Sequence, residues 1–479
     1  MLDKPLRKRS GDAAIAAVAL DPAADSPLHV QLAGQLRQLI LSRRLQAGAR
    51  LPSSRQFAQE LSVSRSTVVT ALDQLSSEGY CEGRHGSGVY VTADLPEHAL
   101  EIAASPAAAR SEPTPAHPMP VRPFQVAAPD LSLFPHEDWG RLAWKIWRAP
   151  DPDLLATADP MGWLPLRRAI ADHLAAARGL ACHAGQILVT SGIGEAIAIT
   201  AQALFRRGDR ISVEDPGYPL LLRALSLAGL RVSPVAVDAN GLTLGRLRGK
   251  TSAVAVTPSR HYPLGMTMPV QRRLELIAWA ESVGGWIIED DYDSEFRYRG
   301  RPLPALMSLD PNGRTLYLGS FSKVISPAMR LSFLVVPDRL AQRFAATIAQ
   351  LGAKASLMPQ PVLAEFMASG QFGSHIRRMR RVYARRQAAL IEAARKHLSG
   401  IAEIEPQAAG MHVIARLTLP HMTDAEASRR AEAAGLVAPA LSSYAMHARR
   451  ERGLVLGYAA FSESEIERAV IALAAALRT

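Results

Sequence analysis

The sequence predicts a small unit of helices and one β-hairpin, followed by a large α/β domain with a mainly parallel sheet. Helical periodicity over 28–41, 54–61 and 64–75 precedes an alternating stretch at 86–91. From about residue 123 onward, short apolar stretches alternate with amphipathic ones, which predicts a parallel sheet covered by helices. The chain has 479 residues, enough for about three folding units at roughly 150 residues each.

Composition and charge fit a globular protein of the cytoplasm with an acidic partner. Hydrophobic residues make up 48% of the chain, charged residues make up 21%, and the net charge is +11. This positive balance favours non-specific attraction to an acidic partner such as DNA, without showing a function by itself. The two cysteines, Cys81 and Cys182, are too few for a disulfide framework and fit a reducing compartment. No stretch approaches the ~20 apolar residues that span a membrane, so we expect no membrane partner.

Changes in composition divide the chain into four segments. Residues 1–25 are predicted to be an N-terminal tail, and residues 26–93 contain the three helices and the alternating stretch. Residues 94–122 are rich in Ala, Pro and Ser, which is the composition of a linker. Residues 123–479 are predicted to form the α/β domain. Its buried strands are predicted at 187–190, 210–213, 253–256, 286–289, 315–318 and 333–336.

Two helices of the first unit are joined by a very short turn. Ser53 or Ser54 can cap the first of them, and Ser62 or Ser64 can cap the second. This arrangement is typical of a helix-turn-helix, in which the start of the second helix faces the base edges of DNA. The stretch 82–91, with glycines at its tip, is typical of a β-wing whose backbone can approach a groove.

The sequence LPSSRQFAQELSVSRSTVVTALDQLSSEG begins at Leu51, and GSGVYV follows it in the wing. Over residues 26–92 the chain resembles the GntR family of bacterial transcription regulators. The resemblance implies a winged helix-turn-helix that binds double-stranded DNA. The implied DNA contacts are Arg55, Ser64, Arg65, Ser66 and Thr67 from the helices and Arg84, His85 and Gly86 from the wing.

Structural roles are the alternative for several of these polar residues. Arg55 can pair with a helix carboxylate, Ser64 can act only as a helix cap, and His85 can be a solvated loop residue. A second basic stretch, residues 375–386, is predicted to be a solvated helix face, with DNA contact as the alternative.

A lysine after a predicted strand suits covalent chemistry with an aldehyde cofactor. Lys323 ends the sequence GSFSK, shortly after the strand predicted at 315–318. An aldehyde cofactor needs a lysine that can deprotonate and form a Schiff base near a phosphate anchor. The hydroxyls of Ser320 and Ser322 and the guanidinium of Arg330 suit that phosphate. By itself the motif is weak, because a lysine after a serine is usually a surface residue.

A run of acids follows another predicted strand, in the sequence EDDYDSEF over residues 289–296. A pyridine ring acts as an electron sink when its nitrogen is protonated, which requires a fixed carboxylate partner. Asp290 is the candidate for this carboxylate, and Tyr292 is the candidate donor to the ring hydroxyl. A metal site is the alternative, although successive strand residues point to opposite faces and do not readily share one ion.

Two further turns follow predicted strands. Gly192 and Ile193 leave the strand at 187–190 and open a helix, which offers backbone N–H groups to a phosphate. Tyr218, in the sequence EDPGY, stands on a turn where its ring can stack on a pyridine ring, with simple packing as the alternative.

The motifs EDPGY, TPSRHYPLG, EDDYDSEF and FSKVISPAMR occur in this order. They resemble the aminotransferase-like half of the MocR subfamily of GntR regulators, whose members often read TPSHQYPTG at the second motif. The resemblance covers residues 26–479 and implies a fold-type I aminotransferase domain with a small C-terminal α+β subdomain. It also implies pyridoxal phosphate (PLP) held as an aldimine on Lys323, with His261 near the ring hydroxyl, and a head-to-tail homodimer.

The function that the resemblance implies is PLP-dependent transcription regulation. PLP itself or an amine would modulate DNA binding, in vitamin B6 or amino-compound metabolism. We expect no turnover beyond a half-transamination, because aminotransferases hold the substrate carboxylate with an arginine in RLxFA and residues 455–459 read VLGYA. The alternatives are an active aminotransferase with an accessory DNA-binding domain, and a DNA-binding protein whose second domain only dimerises.

Overall fold

The computed structural model describes residues 18–84, 87–93, 121–155, 159–247, 250–300, 303–352, 355–447 and 451–478. The chain separates into two compact units that divide after Pro118. Two of the predicted DNA contacts, His85 and Gly86, lie outside the described residues, as does most of the predicted linker.

The described residues of the first unit form three helices and a β-hairpin. Its elements are α1 (Leu28–Leu41), α2 (Ser54–Glu60), α3 (Arg65–Ser77), β1 (Cys81–Arg84) and β2 (Gly88–Val91). The caps are Ser53 for α2 and Ser64 for α3, whose side chains accept hydrogen bonds from the backbone N–H groups of Gln56 at 3.2 Å and Thr67 at 3.1 Å. The strands pair antiparallel.

One apolar core joins these elements. It includes Leu32, Leu36, Phe57, Val68 and Leu75. Val18 is buried in the same core, and the backbone N–H of Ala19 donates to Gln35 Oε1 at 3.0 Å. The last part of the predicted tail therefore packs on α1.

Helices and strands alternate through most of the second unit. The helices are α4 (His136–Trp147), α5 (Pro152–Leu155), α6 (Leu164–Arg178), α7 (Ile193–Leu204), α8 (Pro219–Leu227), α9 (Val270–Val283), α10 (Ala341–Leu351), α11 (Gln360–Ala368), α12 (Gln371–His397), α13 (Asp424–Ala433) and α14 (Glu463–Arg478). The strands are β3 (Ile187–Thr190), β4 (Arg210–Asp215), β5 (Arg231–Asp238), β6 (Gly241–Leu242), β7 (Ala253–Val256), β8 (Trp286–Asp291), β9 (Thr315–Ser320), β10 (Ser332–Val335), β11 (Ala402–Ile404), β12 (His412–Leu417) and β13 (Gly453–Gly457). Within the described ranges, no helix has the length and apolar character needed to cross a membrane.

A large mixed sheet forms the centre of this unit. Its described strands follow the order β3-β10-β9-β8-β7-β4-β5-β6. The neighbours from β9 to β5 are parallel, whereas β10 is antiparallel to both β3 and β9. The predicted α/β class is confirmed. Strand β5 escapes sequence prediction because its mostly half-exposed residues give no continuous apolar run.

The C-terminal part contains a second, smaller sheet. Strands β11, β12 and β13 pair antiparallel in that order, and α13 and α14 accompany them. Helix α14 also packs along the long helix α12. This is the predicted small α+β subdomain.

The parallel strands bring their carboxyl ends to one edge of the large sheet. Asp215 ends β4, Asp291 ends β8, Ser320 ends β9, and Thr257 directly follows β7. In parallel α/β sheets this is the edge at which ligands bind. The motifs that were separate in sequence therefore meet at this edge.

Candidate functional site

Lys323 lies half-buried in the turn that follows β9. Its Nζ donates a hydrogen bond to the carbonyl oxygen of Ala127 at 2.8 Å. Desolvation lowers the pKa of the Lys323 ammonium, and the nearby carboxylates of Asp293 and Asp290 oppose that shift. A lysine with a lowered pKa is more often neutral, and the neutral amine is the form that attacks a carbonyl carbon.

Asp290 is buried near the end of β8, and its Oδ2 has no hydrogen-bond partner among the described residues. Burial raises the pKa of its carboxyl to about 8, with further increases from Asp291, Glu214 and Asp293 and an opposing effect of Lys323. A buried carboxylate oxygen without a partner is costly, and a cationic N–H donor would relieve that cost. The ring nitrogen of PLP in its protonated form is such a donor.

The acids around Asp290 have separate partners. Glu289 accepts hydrogen bonds from the backbone N–H groups of Leu306 and Met307. Asp291 lies 2.8 Å from Nε of Arg178 and accepts from Tyr317 Oη at 2.5 Å. Asp293 pairs with Arg260, whose Nη1 lies 3.1 Å from Oδ2. These carboxylates therefore do not converge on one point, as the alternation of side chains along a strand predicts.

The start of α7 and Arg330 form a second part of the site. Gly192 caps α7 with φ 154°, and a Cβ added there would lie 3.3 Å from Arg330 Nη2. The guanidinium therefore lies directly beside the helix start, where the N–H groups of Ile193 and its neighbours carry the positive end of the helix dipole. The cationic side chain of Arg330 and the start of α7 together suit the binding of a phosphate.

Ser320 ends β9, two strands away from β3, the strand that leads into α7, and Ser322 lies in the turn that follows β9. The β-sheet register places Ser332 between Thr190 and Ser320 on the neighbouring strands. The backbone N–H of Ser322 and the hydroxyl of Ser332 each lie 3.2 Å from Ser320 Oγ. The two predicted serines are thus close to each other at the end of β9, at the same sheet edge as the start of α7.

Several tyrosine rings pack together near Asp290 and the turn that contains the motif EDPGY. The Tyr218 ring centroid lies 5.0 Å from that of Tyr262 and 6.5 Å from that of Tyr292. Burial and then the Asp290 carboxylate raise the pKa of Tyr218, so this phenol is near the acid. Tyr444 packs on Tyr262 with ring centroids 5.5 Å apart. The sequence analysis missed Tyr262 and Tyr444, although Tyr262 belongs to the motif TPSRHYPLG.

The hydroxyl of Tyr292 is held by Arg260, a residue that the sequence analysis did not select. Arg260 Nη1 donates to Tyr292 Oη at 2.8 Å. The neighbouring His261 is buried, with Nε2 3.8 Å from Glu214 Oε2. Burial raises the pKa of Glu214 to about 7, against hydrogen bonds from Thr257 that lower it. The contact of His261 with a ring hydroxyl stays a prediction. In the motif TPSRHYPLG, the residue that contacts the Tyr292 hydroxyl is Arg260.

In the first unit, three hydroxyls meet at the start of α3. Ser64 Oγ lies 2.8 Å from Ser66 Oγ and 2.7 Å from Thr67 Oγ1, in addition to capping the helix. Arg65 donates through Nε to Ser54 Oγ at 3.1 Å and remains exposed. Arg55 is exposed as well. These polar groups lie at or near the start of α3, which is the part of the second helix that a helix-turn-helix presents to DNA.

In the wing, Arg84 is engaged within its own hairpin. Its Nη2 lies 2.7 Å from Glu82 Oε1, and its guanidinium lies 4.6 Å from the centroid of the Tyr90 ring. To contact a DNA phosphate, Arg84 would have to give up this exposed ion pair with Glu82. Exposed ion pairs usually contribute little free energy, so the competition is weak.

The arginine-rich stretch 375–386 lies within α12 and divides its side chains between two roles. Arg386 is buried, with Nη2 2.7 Å from Asp130 Oδ2, and Arg378 Nη2 donates to the carbonyl oxygen of Leu133 at 2.8 Å. The exposed members are Arg377, Arg378, Arg381 and Arg385. Part of this basic stretch thus stabilises packing, and the rest forms a solvated face.

Comparisons with known proteins cover both units. Residues 28–91 match the family described as bacterial regulatory proteins, gntR family, and residues 148–473 match aminotransferase class I and II. The chain is 37% identical over 470 residues to the probable rhizopine catabolism regulatory protein MocR of Rhizobium meliloti, covering 95% of each chain. It is 35% identical to the HTH-type pyridoxine biosynthesis transcriptional regulator PdxR of Corynebacterium glutamicum, covering 94% of this chain and 96% of that one.

The chain belongs to the MocR-type GntR transcription regulators. As a MocR-type regulator it joins a DNA-binding winged helix to an aminotransferase-like domain. The fold of that domain is similar to LysN, the α-aminoadipate aminotransferase of Thermus thermophilus, with TM-score 0.67 and 25% identity over 74% of this chain and 91% of that one. The kynurenine aminotransferase of Pyrococcus horikoshii has the same fold, with TM-score 0.68 at 23% identity over 75% and 91% of the two chains.

Proposed function

We propose that this MocR-type regulator carries PLP on Lys323 and that PLP, or an amine that reacts with it, modulates binding of the first unit to DNA. The observation that carries the proposal is the buried Asp290 Oδ2 without a described partner, at the same sheet edge as a lysine with a lowered pKa. An acid and an amine in these states suit a cofactor that brings both a cationic ring and an aldehyde.

In this proposal, each part of PLP would have a contact among the described residues. Asp290 would accept from the ring N–H, and Tyr292 would donate to the ring hydroxyl. Tyr218 and His261 would flank the ring. The phosphate would be held by Arg330, the start of α7 at Gly192 and Ile193, and the hydroxyls of Ser320 and Ser322. When bound, PLP supplies an aldehyde that reacts reversibly with amines, which suits the detection of an amine or of PLP itself.

The surroundings of Val455 support a sensor rather than an amino-acid aminotransferase. Val455 stands where RLxFA places the carboxylate-binding arginine, and it is buried in an apolar cluster with Tyr262, Tyr444, Ile414 and Leu441. A substrate carboxylate facing this cluster would lose water without gaining a cation. We therefore propose that turnover, if present at all, is limited to a half-transamination.

The relatives support the regulatory part of the proposal. One is named a regulator of pyridoxine biosynthesis and another a regulator of rhizopine catabolism. By analogy, the target of this protein would be vitamin B6 or amino-compound metabolism in the cytoplasm. The proposed DNA contacts are the polar residues of α2, α3 and the wing, in a head-to-tail homodimer that binds paired half-sites.

The proposal is tested by absorbance and by DNA binding. We expect the purified chain mixed with PLP to show a visible band that Lys323→Ala abolishes and Lys145→Ala retains, because Lys145 is an exposed partner of Glu365. Fluorescence anisotropy with DNA from the region upstream of the gene should change on addition of PLP for the unaltered chain and for Lys145→Ala only. A colourless protein with unchanged DNA binding would refute the proposal.

A further inference from the structure

Arg260 is an enclosed cation next to the candidate cofactor site. Arg260 is 3% exposed, and its guanidinium contacts Tyr292, Asp293 and His412, which lie on two different segments. Nη1 donates to Tyr292 Oη at 2.8 Å and to Asp293 Oδ2 at 3.1 Å, and Nη2 donates to the carbonyl oxygen of His412 at 2.7 Å. A histidine occupies this position in the motif TPSHQYPTG, so Arg260 departs from that motif.

A glycine, which has no side chain, leaves room for the planar guanidinium of Arg260. Gly410 has φ 103°, and a Cβ added there would overlap Arg260 Cζ and Nε. Backbone and guanidinium therefore pack in direct contact at Gly410. The left-handed φ also strains any other residue at this position, so two independent features favour glycine.

The donor inventory determines the direction of the hydrogen bond at Tyr292. A guanidinium only donates, and a tyrosine hydroxyl has one proton together with acceptor lone pairs. Tyr292 must therefore accept from Arg260, which leaves its own proton to be donated elsewhere. Burial keeps the pKa of Tyr292 well above its usual value against the opposing effect of Arg260, so that proton remains in place.

Asp293 supplies a carboxylate beside this pair. Asp293 pairs with the guanidinium, and the rings of Tyr218 and Tyr262 pack on the Tyr292 ring, with the Asp290 carboxyl nearby. On the other side of Arg260, the ring of His412 donates through Nε2 to the carbonyl oxygen of Pro263 at 2.9 Å. Burial and Arg260 lower the pKa of His412, so its imidazole stays neutral.

The same guanidinium connects the large sheet with the small subdomain. Tyr292 follows β8 of the large sheet, while His412 begins β12 of the small one. We infer that Arg260 is a positioning residue, which aims the Tyr292 hydroxyl at the ring oxygen of bound PLP and ties that hydroxyl to strand β12. This inference rests on the proposed function, since it concerns the PLP ring.

The experiment uses the full chain loaded with PLP and follows its visible band over pH. A hydroxyl that donates to the ring oxygen stabilises a negative charge on that oxygen. The proton shared with the ring oxygen is then held less tightly, so the pH midpoint at which the visible band changes is low. Arg260→Lys should raise the midpoint by about one pH unit, the size of one hydrogen bond to a charged group. Tyr292→Phe should raise it at least as much, and the double variant should match Tyr292→Phe alone.

Arg386→Lys is the matched control, because Arg386 is also a buried arginine held by a carboxylate and a carbonyl oxygen but has no described contact with Tyr292. Its midpoint should equal that of the unaltered chain. If Arg260→Lys does not fold, Arg260→His takes its place, since the related motif has histidine there. We expect the same rise from it.

The outcomes separate the inference from the function on which it rests. An unaltered chain that never gains a band would overturn both. A band whose midpoint rises in Tyr292→Phe but not in either Arg260 variant would overturn the inference alone. Additive shifts in the double variant would do the same, because Arg260 would then act on the ring without Tyr292.

Discussion

At the scale of single residues, the candidate site contains an acid and an amine whose pKa values burial shifts towards the neutral form. Burial raises the pKa of Asp290 and lowers that of Lys323, and each charge opposes the shift of the other. Packing alone does not explain either group, since an apolar side chain would cost less in either position. The two residues therefore share a role that a third, charged group would complete.

The raised pKa of Asp290 predicts how the stability of the protein without PLP depends on pH. The pKa of Asp290 is about 8 in the fold, against an ordinary value of 3.8. Between these values the folded chain keeps a proton that the unfolded chain has released. The contribution of Asp290 to the free energy of unfolding is therefore full at low pH and decreases as the pH rises towards 8.

Thermal unfolding between pH 5 and pH 8 measures this effect. We expect the melting temperature of the PLP-free chain to fall across this range, and to fall less in Asp290→Asn, which cannot ionise. Glu214 and Glu289, with pKa values raised to about 7 by burial, contribute a common background of the same sign to both proteins. Parallel curves for the two proteins would show that Asp290 is ionised in the fold.

At the scale of elements, the starts of two helices carry the polar chemistry. Gly192 caps α7 beside Arg330, and Ser64 caps α3 with a hydroxyl that lies close to two others. The first turn of α7 has no side-chain cap, so its N–H groups are available for an anion, whereas in α3 the Thr67 N–H donates to the Ser64 cap and the other N–H groups of that turn are available. The large domain would use this feature for a cofactor phosphate and the small unit for a DNA phosphate.

The two serine caps of the first unit allow cap strength to be separated from DNA contact. Ser64→Ala and Ser53→Ala each remove one cap bond and should each destabilise the unit by about 1 kcal/mol. Only Ser64 lies at the helix start that would face DNA, so its replacement should weaken DNA binding several-fold more than that of Ser53. Circular dichroism melts and anisotropy titrations measure the two effects. Equal losses of DNA binding would reduce Ser64 to a structural cap.

At the scale of the whole molecule, large apolar side chains are exposed near the beginning of the second unit. Trp144 is 65% exposed on α4, and Leu155 is 68% exposed on α5. Exposed apolar groups of this size indicate an interface when they occur together. The proposed head-to-tail homodimer would give them a partner, and paired DNA half-sites would require two winged helices.

Sedimentation velocity tests this assembly. We expect the full chain to sediment as a dimer, and Trp144→Glu to shift it towards the monomer by placing a charge in the buried contact. Val283→Glu is the control, since Val283 is 55% exposed at the end of α9. It should leave the dimer intact. A dimer that tolerates both substitutions would place the interface elsewhere.

The sequence by itself determined the class of the fold, the strands of high apolar content and the motifs at their ends. Those features are local: hydrophobic period, cap residues and short motifs depend on neighbours in sequence. It also selected Lys323, Asp290 and Tyr292, because each stands directly after or near the end of an apolar strand. The family followed from the same motifs, and the comparisons confirmed it.

Only the tertiary structure decided which side chains face one another. Arg260 meets Tyr292 from 32 positions away and His412 from 152 positions away, and no local pattern encodes such pairs. The register of β8 sends Asp290 to one face and Glu289 and Asp291 to other partners, which a run of acids in sequence does not show. Long-range packing and strand register arise from the whole core at once, so they appear only when the chain is folded.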